Sequence, residues 1–363
     1  MRVLLIIAGL GMGGAERVAS LLTRAWAEQG KQISIVAFDS PKDPLAYDFH
    51  KGVELIRLDI AAGGGSLLRG VLSNAQRFLA LRRLFRERRP DLVISFLTKV
   101  NVLSLLAAIG SDVPVIISER NNPAKQQANA LWAWSWAMLS RFAAAIVLQT
   151  ETIKSRCTKD IADRAVVIPN PFEKPELVRQ NYDGHVMVAA GRLAHQKGFD
   201  LLIAAFALLA ADFPDWRLVI WGEGSERASL EQQIRDEALT GRVMMPGMSQ
   251  GHGQWRATAD AFVLSSRFEG FPNVLVEAML AGLPSIAFDC DFGPRDILTD
   301  GVDGILVPCG DTQLLAVAMR QVMTNEALRA RLGAAARIKA GRFDLAAIVS
   351  QWDSLTKKVL YSA

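Results

Sequence analysis

Ile168-Pro169-Asn170-Pro171-Phe172-Glu173-Lys174-Pro175 opens a polar, proline-bearing segment that runs to Gly184, and Val186-Met187-Val188-Ala189-Ala190 follows it almost at once. Proline fixes φ and carries no N–H, so the segment cannot continue a helix or a central strand. The apolar run after it has strand length and stops at Gly191-Arg192. Upstream, Val3–Ala8, Ile33–Phe38, Leu92–Phe96, Val115–Ser118, Ala144–Leu148 and Val166–Ile168 have the same character. Unbroken β-branched runs of this kind mark strands buried on both faces, as in a parallel sheet covered by helices. Helix-length periodicity fills the stretches between them. After Val186–Ala190 the series repeats, with Trp216–Trp221, Val243–Met245, Ala261–Leu264, Ser285–Ala287 and Gly304–Val307. Two βα series predict two doubly wound α/β domains, residues 1–175 and 176–344, facing each other across a cleft. A last helix, within residues 345–363, is expected to pack back on the first domain. Open parallel sheets bind ligands beyond the carboxyl ends of their strands, so the cleft is the expected site.

The chain of 363 residues is half apolar and 21% charged, which excludes disordered and low-complexity classes. Cys157, Cys290 and Cys309 are too widely spaced for a disulfide scaffold or a cysteine zinc site. No two of His50, His185, His195 and His252 stand four apart, so neither a helical metal site nor a metal cofactor is expected. The apolar start, Val3 to Leu10, runs into glycines and Glu16-Arg17 without a small-residue cleavage pattern. It reads as a first strand, not a leader. Leu131 to Leu148 is the longest apolar region, but Ser135, Ser140 and Arg141 interrupt it. An arginine at bilayer depth costs about 2.5–3.5 kcal/mol, so the expectation is a helix and a strand in a cytoplasmic protein.

The net charge of +4 hides an asymmetry: residues 1–175 carry +8 and the remainder −4. The excess lies between Ser66 and Arg89, where Arg69, Arg77, Arg82, Arg83, Arg86, Arg88 and Arg89 face Glu87 alone. Leu68, Leu72, Ala75 and Leu79 recur at helical spacing, and Val71, Phe78 and Phe85 widen the stripe. Such a basic amphipathic helix either covers a sheet with its apolar side or meets anionic lipid headgroups or a phosphorylated acceptor. Near a membrane surface each Lys or Arg contributes about 1 kcal/mol. Arg77, Arg82, Arg86 and Arg89 are the candidates for that contact, at the cytoplasmic face of a membrane. Few aromatics interleave with the arginines, so nucleic acid is not an expected partner.

Gly9-Leu10-Gly11-Met12-Gly13-Gly14 satisfies G-x-G-x-x-G directly after the first strand, and Asp39 ends the second, where a dinucleotide fold places its ribose-binding acid. On these residues alone an NAD-dependent oxidoreductase is one reading. Physically the loop shows less: glycines let backbone N–H groups approach an anion, and the following helix N-terminus adds its dipole. Glu16 sits close to such an anion unless it points away or pairs with Arg17.

In the second series, Gly191-Arg192-Leu193-Ala194-His195-Gln196-Lys197-Gly198 leaves a strand end. Arg192 and Lys197 are placed there as a cation pair suited to a diphosphate, while His195 reads as a turn residue. Ordinary surface cations would show the same spacing. Ser265-Ser266-Arg267-Phe268-Glu269-Gly270-Phe271-Pro272-Asn273-Val274-Leu275-Val276-Glu277-Ala278 is denser in signal. Pro272 and Asn273 suit a helix start, which would present free N–H groups to the cleft. Glu277 lies one turn further in, able to chelate a vicinal diol, and Glu269 lies on the loop before it, able to reach sugar hydroxyls. An amphipathic helix with incidental acids shares that pattern.

Gly13-Gly14-Ala15-Glu16-Arg17, Ile168-Pro169-Asn170-Pro171, Gly191-Arg192 with Lys197-Gly198, Gly222-Glu223-Gly224, and Glu269 with Glu277 occur in this order. Together they resemble the retaining GT-B glycosyltransferases of family 4, over essentially the whole chain. The resemblance implies two Rossmann-like domains, the C-terminal one binding a nucleotide-sugar and the N-terminal one an acceptor. Carried over, it implies that Arg192 and Lys197 hold the donor diphosphate, with Gly13 and Gly14 closing on it. Glu277 would bind the ribose, and Glu269 with the backbone of Gly270, Phe271, Pro272 and Asn273 the transferred sugar. Glu269, Arg192 and Lys197 are thus the implied catalytic set, with no cofactor besides the donor, a UDP-sugar. Ser118-Glu119-Arg120-Asn121-Asn122-Pro123 looks like the subgroup that extends lipid-linked or surface polysaccharides with N-acetylhexosamines or galactose.

One departure bears on mechanism. Many family members carry a histidine after the strand that is Val115–Ser118 here; this chain has Glu119 and Arg120, which become the acceptor-side candidates. Attack by the acceptor hydroxyl with the leaving phosphate as base does not need the histidine. Asp289-Cys290-Asp291 spells D-x-D, a metal motif of the other large glycosyltransferase fold, which two doubly wound halves do not match. The resulting expectation is a metal-independent, retaining transferase acting on a polyprenyl-diphosphate or other lipid-linked glycan. A sugar-nucleotide epimerase on the same scaffold and a non-catalytic sugar-nucleotide-binding subunit are the alternatives.

Overall fold

The computed structural model describes residues 1–60, 67–120, 130–174, 185–249 and 253–361. The chain divides into two compact units, Met1–Phe172 with Leu345–Ala363, and Glu173–Asp344.

The first unit carries seven strands: β1 (Arg2–Ile7), β2 (Gln32–Ala37), β3 (Val53–Arg57), β4 (Leu92–Phe96), β5 (Val115–Ser118), β6 (Ala145–Leu148) and β7 (Ala165–Val167). They form one parallel sheet in the order β3-β2-β1-β4-β5-β6-β7. Helices α1 (Gly14–Glu28), α2 (Leu67–Arg88), α3 (Thr98–Ala108), α4 (Ala130–Leu139), α5 (Glu151–Ser155) and α6 (Lys159–Arg164) lie between strands. β4, β5 and β6 are buried along their whole length, as their apolar runs require. β3 was not expected from the sequence. It pairs only with β2, at the sheet edge, and its Glu54 and Arg57 break the apolar pattern that the central strands show.

The helix Leu345–Tyr361 belongs to this unit. Its Ile348, Val349, Trp352 and Leu355 enter the same core as Leu22, Trp26, Ile94 and Phe96. The ring of Trp352 meets Trp26 edge-on at 6.2 Å between centroids. Beside it the Asp353 carboxylate accepts from Trp26 Nε1 at 2.9 Å and pairs with Lys31. A polar group at the edge of an apolar core is held there by satisfied partners.

The outward and inward sides of α2 are the reverse of what its stripe suggests. Ser73, Leu81, Leu84 and Phe85 are buried, whereas Val71, Leu72, Ala75 and Leu79 are exposed. Leu68 falls in the part of the helix whose side chains lie outside the described residues. The row through Leu72 and Leu79 continues into Arg83, ion-paired with Glu87, and Arg86, and burying it would take those charges out of water.

The second unit repeats the plan with β8 (His185–Ala190), β9 (Trp216–Trp221), β10 (Val243–Gly247), β11 (Ala261–Leu264), β12 (Ser285–Asp289) and β13 (Ile305–Pro308). Their order is β10-β9-β8-β11-β12-β13, again parallel. Helices α7 (Phe199–Ala210), α8 (Arg227–Asp236), α9 (Asn273–Leu280), α10 (Pro294–Ile297), α11 (Thr312–Thr324) and α12 (Glu326–Ala340) complete it. Met187, Ala189, Phe206, Leu218, Val263, Phe288 and Met319 share its core. Right-handed crossovers send successive helices to one face, then to the other once the strand order reverses, so the chain diverges between β8 and β11. Among the described residues no helix is long and apolar enough to cross a membrane.

Trp352→Ala would leave a cavity against Trp26 and Phe96, and the first unit is expected to lose about 3–5 kcal/mol of stability. Urea denaturation monitored by circular dichroism measures the loss.

Candidate active site

The second unit's divergence point brings two loops together at the ends of β8 and β11. The first, Gly191 to Gly198, turns sharply under Gly222-Glu223-Gly224. Gly191 N–H donates to the Trp221 carbonyl at 2.9 Å and Leu193 N–H to that of Glu223 at 2.9 Å. Gly222 has φ +146°, and a Cβ there would stand 1.8 Å from the Gly191 carbonyl oxygen. Only glycine permits that approach, which fixes where Arg192 leaves the strand.

The second loop, Ser265 to Phe271, is fastened to the first by several independent bonds. Arg267 N–H donates to the Gln196 carbonyl (2.8 Å), Gln196 Nε2 to that of Phe268 (3.0 Å), and Ser265 Oγ to that of Lys197 (2.9 Å). The Arg267 guanidinium forks onto Asp200 at 2.8 and 2.6 Å and also reaches the His195 carbonyl at 2.8 Å. Gly198 lies in the left-handed region at φ +62°, with the Ser265 carbonyl oxygen 2.1 Å from where a Cβ would be.

These contacts position one ion pair. Lys197 Nζ lies 2.6 Å from Glu269 Oε1, with the side chains 17% and 6% exposed. Ser266 Oγ donates to the same oxygen at 2.6 Å. A carboxylate taken so far out of water needs such partners. An ammonium group has three donors, so Lys197 keeps two for another anion. Arg192, at the same strand end, is exposed and makes no ion pair among the described residues. Cys290 is buried beside this pair; burial, and then the Glu269 charge, push its thiol pKa well up, so it remains neutral.

Beyond Glu269 the chain crosses Gly270 to Pro272, which precedes α9 with Asn273 as its first residue. Phe271 is buried with its ring edge-on to Phe343 at 5.7 Å. Glu277 is buried one turn into α9. Of the D-x-D pair, the Asp289 carboxylate is bound by Arg295, and Asp291 forms a backbone bridge to Phe268, its main-chain carbonyl accepting from Glu269 N–H at 3.3 Å. Among the described residues no three His, Cys, Asp or Glu side chains are grouped to hold a metal. Ser266 and Arg267 stood inside the quoted motif without a role; their position between a strand end and Glu269 was the only signal of one.

The first unit's divergence point is already satisfied by its own chain. Asp39 accepts from Arg57 Nε and Nη2 at 3.1 and 2.8 Å and from Leu10 N–H at 2.7 Å, so the acid a dinucleotide would need is spent. Gly13 caps α1 with an extended backbone, and its carbonyl accepts from Tyr47 Oη at 3.0 Å. Glu16 folds back over Gly13: a Cβ on that glycine would stand 2.1 Å from Glu16 Oε2. Burial, and to a lesser extent the Asp39 charge, raise the Glu16 carboxyl above its ordinary range against a lowering backbone hydrogen bond. Gly14 is the first residue of α1.

Glu119 and Arg120 follow β5 and are buried. Thr98 Oγ1 donates to Glu119 at 2.8 Å. Arg120 Nη1 donates to Asn170 Oδ1 at 2.5 Å, the same oxygen that accepts from Gln149 at 2.8 Å. The guanidinium lies 4.5 Å from the Phe96 ring and 5.7 Å from that of Trp352, and burial lowers its pKa to about 9, which leaves it cationic at neutral pH. The rest of that motif, Asn121 to Pro123, lies outside the described residues. On α2, Arg77 donates to the Ile60 carbonyl at 2.9 Å and Arg82 to that of Ile109 at 3.2 Å, while Arg86 and Arg89 are exposed.

Two predictions test this geometry. Lys197→Met leaves Glu269 buried without its cation, and is expected to cost about 3–5 kcal/mol in urea denaturation, most of it recovered on adding Glu269→Gln. Glu16→Gln concerns the other loop. A carboxyl whose pKa is raised on folding weakens the fold as it ionises, so the substitution stabilises at neutral pH. The gain shrinks as pH falls through the carboxyl range, where both proteins carry a neutral side chain; thermal melts across pH measure it.

Two family models match the chain. Glycosyl transferases group 1 matches residues 173–339, and the glycosyl transferase 4-like domain matches residues 13–171. An N-acetylgalactosaminyltransferase of Campylobacter jejuni, named for a diNAcBac-PP-undecaprenol-linked acceptor, is 27% identical over 99% of each chain. An exopolysaccharide phosphotransferase of Streptomyces coelicolor is 32% identical over 76% of this chain but 29% of its own length. Among solved structures, a sucrose-phosphate synthase from Thermosynechococcus elongatus superposes with TM-score 0.88 at 18% identity, each chain covered fully. HepE of Anabaena, in complex with UDP and glucose, gives 0.78 at 21% identity over 97% and 98% of the two chains. The chain belongs to the GT4-like glycosyltransferases, built from two Rossmann-like domains of the GT-B type.

Proposed function

We propose that the protein transfers an N-acetylhexosamine or hexose from a UDP-sugar to a polyprenyl-diphosphate-linked or other lipid-linked glycan, with retention at the anomeric carbon and without a metal. The observation that carries this reading is the Lys197–Glu269 pair beside Arg192, exposed and without an ion pair among the described residues, at the ends of β8 and β11. The two cations meet the donor diphosphate, where negative charge grows as the sugar leaves. Fixed charges at such a point are worth more than in water and need no reorganisation. Glu269, held by Ser266 and Lys197, accepts from hydroxyls of the transferred sugar, and Glu277 from the ribose. The leaving phosphate takes the proton of the attacking hydroxyl on the same face, so the chain itself supplies no general base. Gly13, covered by its own Glu16, and Glu119 and Arg120, buried on partners within the first unit, take no part in this reading. The Campylobacter relative supports a lipid-linked acceptor, and the UDP complex of HepE a uridine donor. The acceptor and Arg86 draw the protein to the cytoplasmic face of a membrane.

A thermal-shift titration with UDP, GDP, ADP and NADH, each with and without EDTA, tests the donor class. Saturation with UDP to a hundred times Kd is expected to stabilise by about 2.7 kcal/mol, unchanged by EDTA. Stabilisation by NADH alone overturns the reading. In turnover with UDP-sugars and a lipid-linked acceptor, Arg192→Ala and Glu269→Ala are expected to lower the rate by roughly 10²–10³. Conversion of the donor without acceptor would assign an epimerase instead.

A further inference from the structure

Cys290 and Cys309 stand at one end of the second unit's sheet, and neither takes part in the site built on Lys197 and Glu269. Cys290 follows β12 directly and Cys309 follows β13, and both are reduced thiols. The two strands are parallel neighbours with Phe288 opposite Val307 and Asp289 opposite Pro308, so Cys290 and Cys309 come next in the same register. Phe288 and Val307 point into the unit's core. Side chains two positions apart along a strand share a face, which turns both cysteines to that side.

The Cys309 sulfur shows how close the two come. Its thiol donates to the Arg267 carbonyl at 3.5 Å and reaches that of Ser266 at 4.0 Å, both just past the end of β11. β12 lies between β11 and β13, so this reach passes over the end of β12, where Cys290 stands. Paired strands lie about 4.7–4.9 Å apart, inside the Cα separation of about 4.4–6.8 Å that a disulfide bridges. Cys309 is exposed and Cys290 buried. Burial and then the Glu269 charge hold the Cys290 thiol protonated, and the Cys309 sulfur is near enough to add to that effect. The loop that Cys309 touches is the one whose Ser266 Oγ secures Glu269 and whose Arg267 guanidinium holds Asp200.

We propose that Cys290 and Cys309 are a reversible thiol–disulfide site, oxidised by a small-molecule disulfide such as oxidised glutathione, whose closure loosens the loop that holds Glu269. The exposed Cys309 thiolate attacks one sulfur of the small disulfide, and the other leaves as a thiolate with the bonding electron pair. Cys290 then gives its proton to solvent, attacks the Cys309 sulfur and displaces the second small thiolate. The protein loses two protons and two electrons, and the small disulfide is reduced to two thiols. A sulfur bound to sulfur has no proton to donate, so the Ser266 and Arg267 carbonyls lose their bond from Cys309. A disulfide at an exposed sheet end is of the labile kind, which suits a sensor better than a structural staple. The bridge stands on the geometry of the sheet; only its effect on donor binding rests on the UDP-sugar reading.

The test treats the full chain with oxidised glutathione and maps its peptides without reduction. The peptides that carry Cys290 and Cys309 are expected to be joined within one copy of the chain. Hydrogen exchange at the Arg267 and Glu269 amides, which donate to the Gln196 and Asp291 carbonyls, is expected to speed up on oxidation and to return with dithiothreitol. Cys309→Ser is expected to abolish both the joined pair and the change in exchange. The oxidised protein is also expected to need several-fold more UDP than the reduced protein for half of its thermal shift. Absence of the joined pair, a pair joined between two copies, or exchange that does not change as it forms overturns the proposal. An unchanged UDP requirement overturns its effect on the donor. A reduced protein that UDP does not stabilise overturns the donor reading instead, and peptide map and exchange still decide the disulfide.

Discussion

A carboxylate that is 6% exposed at the mouth of a parallel sheet exists only because a cation and a hydroxyl share one of its oxygens. Lys197 and Ser266 come from different loops, so the loops must be locked to each other before the pair can form. Arg267 on Asp200, Ser265 on the Lys197 carbonyl and Gln196 on the Phe268 carbonyl do this locking. Gly222 and Gly198 permit the backbone approaches on which the locks rest. Remove the pair, and the loops hold a buried charge that nothing offsets.

The two units share strand order yet use their divergence points differently. In the second, the side chains of Arg267, Ser265 and Gln196 hold the loops and leave Arg192 exposed. In the first, Arg57, the Leu10 amide and the folded-back Glu16 satisfy the loop from within. A glycine-rich sequence after a first strand therefore does not by itself make a dinucleotide site. Whether the acid at the next strand end has an internal partner decides it, and here it has one.

The first unit is also completed from the far end of the chain. Trp352 joins Trp26 and Phe96, and stacks near Arg120, whose bond to Asn170 links the ends of β5 and β7. The buried cation is thus tied to the element that arrives last. Surface chemistry separates along the same unit: its α1 side receives this closing helix, while α2 keeps Val71, Leu72 and Leu79 with Arg83 and Arg86 outward.

The fold class was legible because buried parallel strands must be apolar along their length, and the chain repeats such runs twice around a proline-bearing break. The edge strand Val53–Arg57 was not, since one exposed side lets Glu54 and Arg57 interrupt the pattern. Arg192, Lys197, Glu269 and Glu277 were legible as charged residue types at strand and helix ends. The partnership of Lys197 with Glu269, the roles of Ser266 and Arg267, and the spending of Asp39 on Arg57 were not. Those depend on which loops meet, separated by many residues in sequence, and only packing brings them within hydrogen-bond range. The facing of α2 was decided the same way: its sequence holds two apolar rows, and the one turned inward brings only Arg77, which has the Ile60 carbonyl and the Phe38 ring as partners, while Arg83 and Arg86 stay in water.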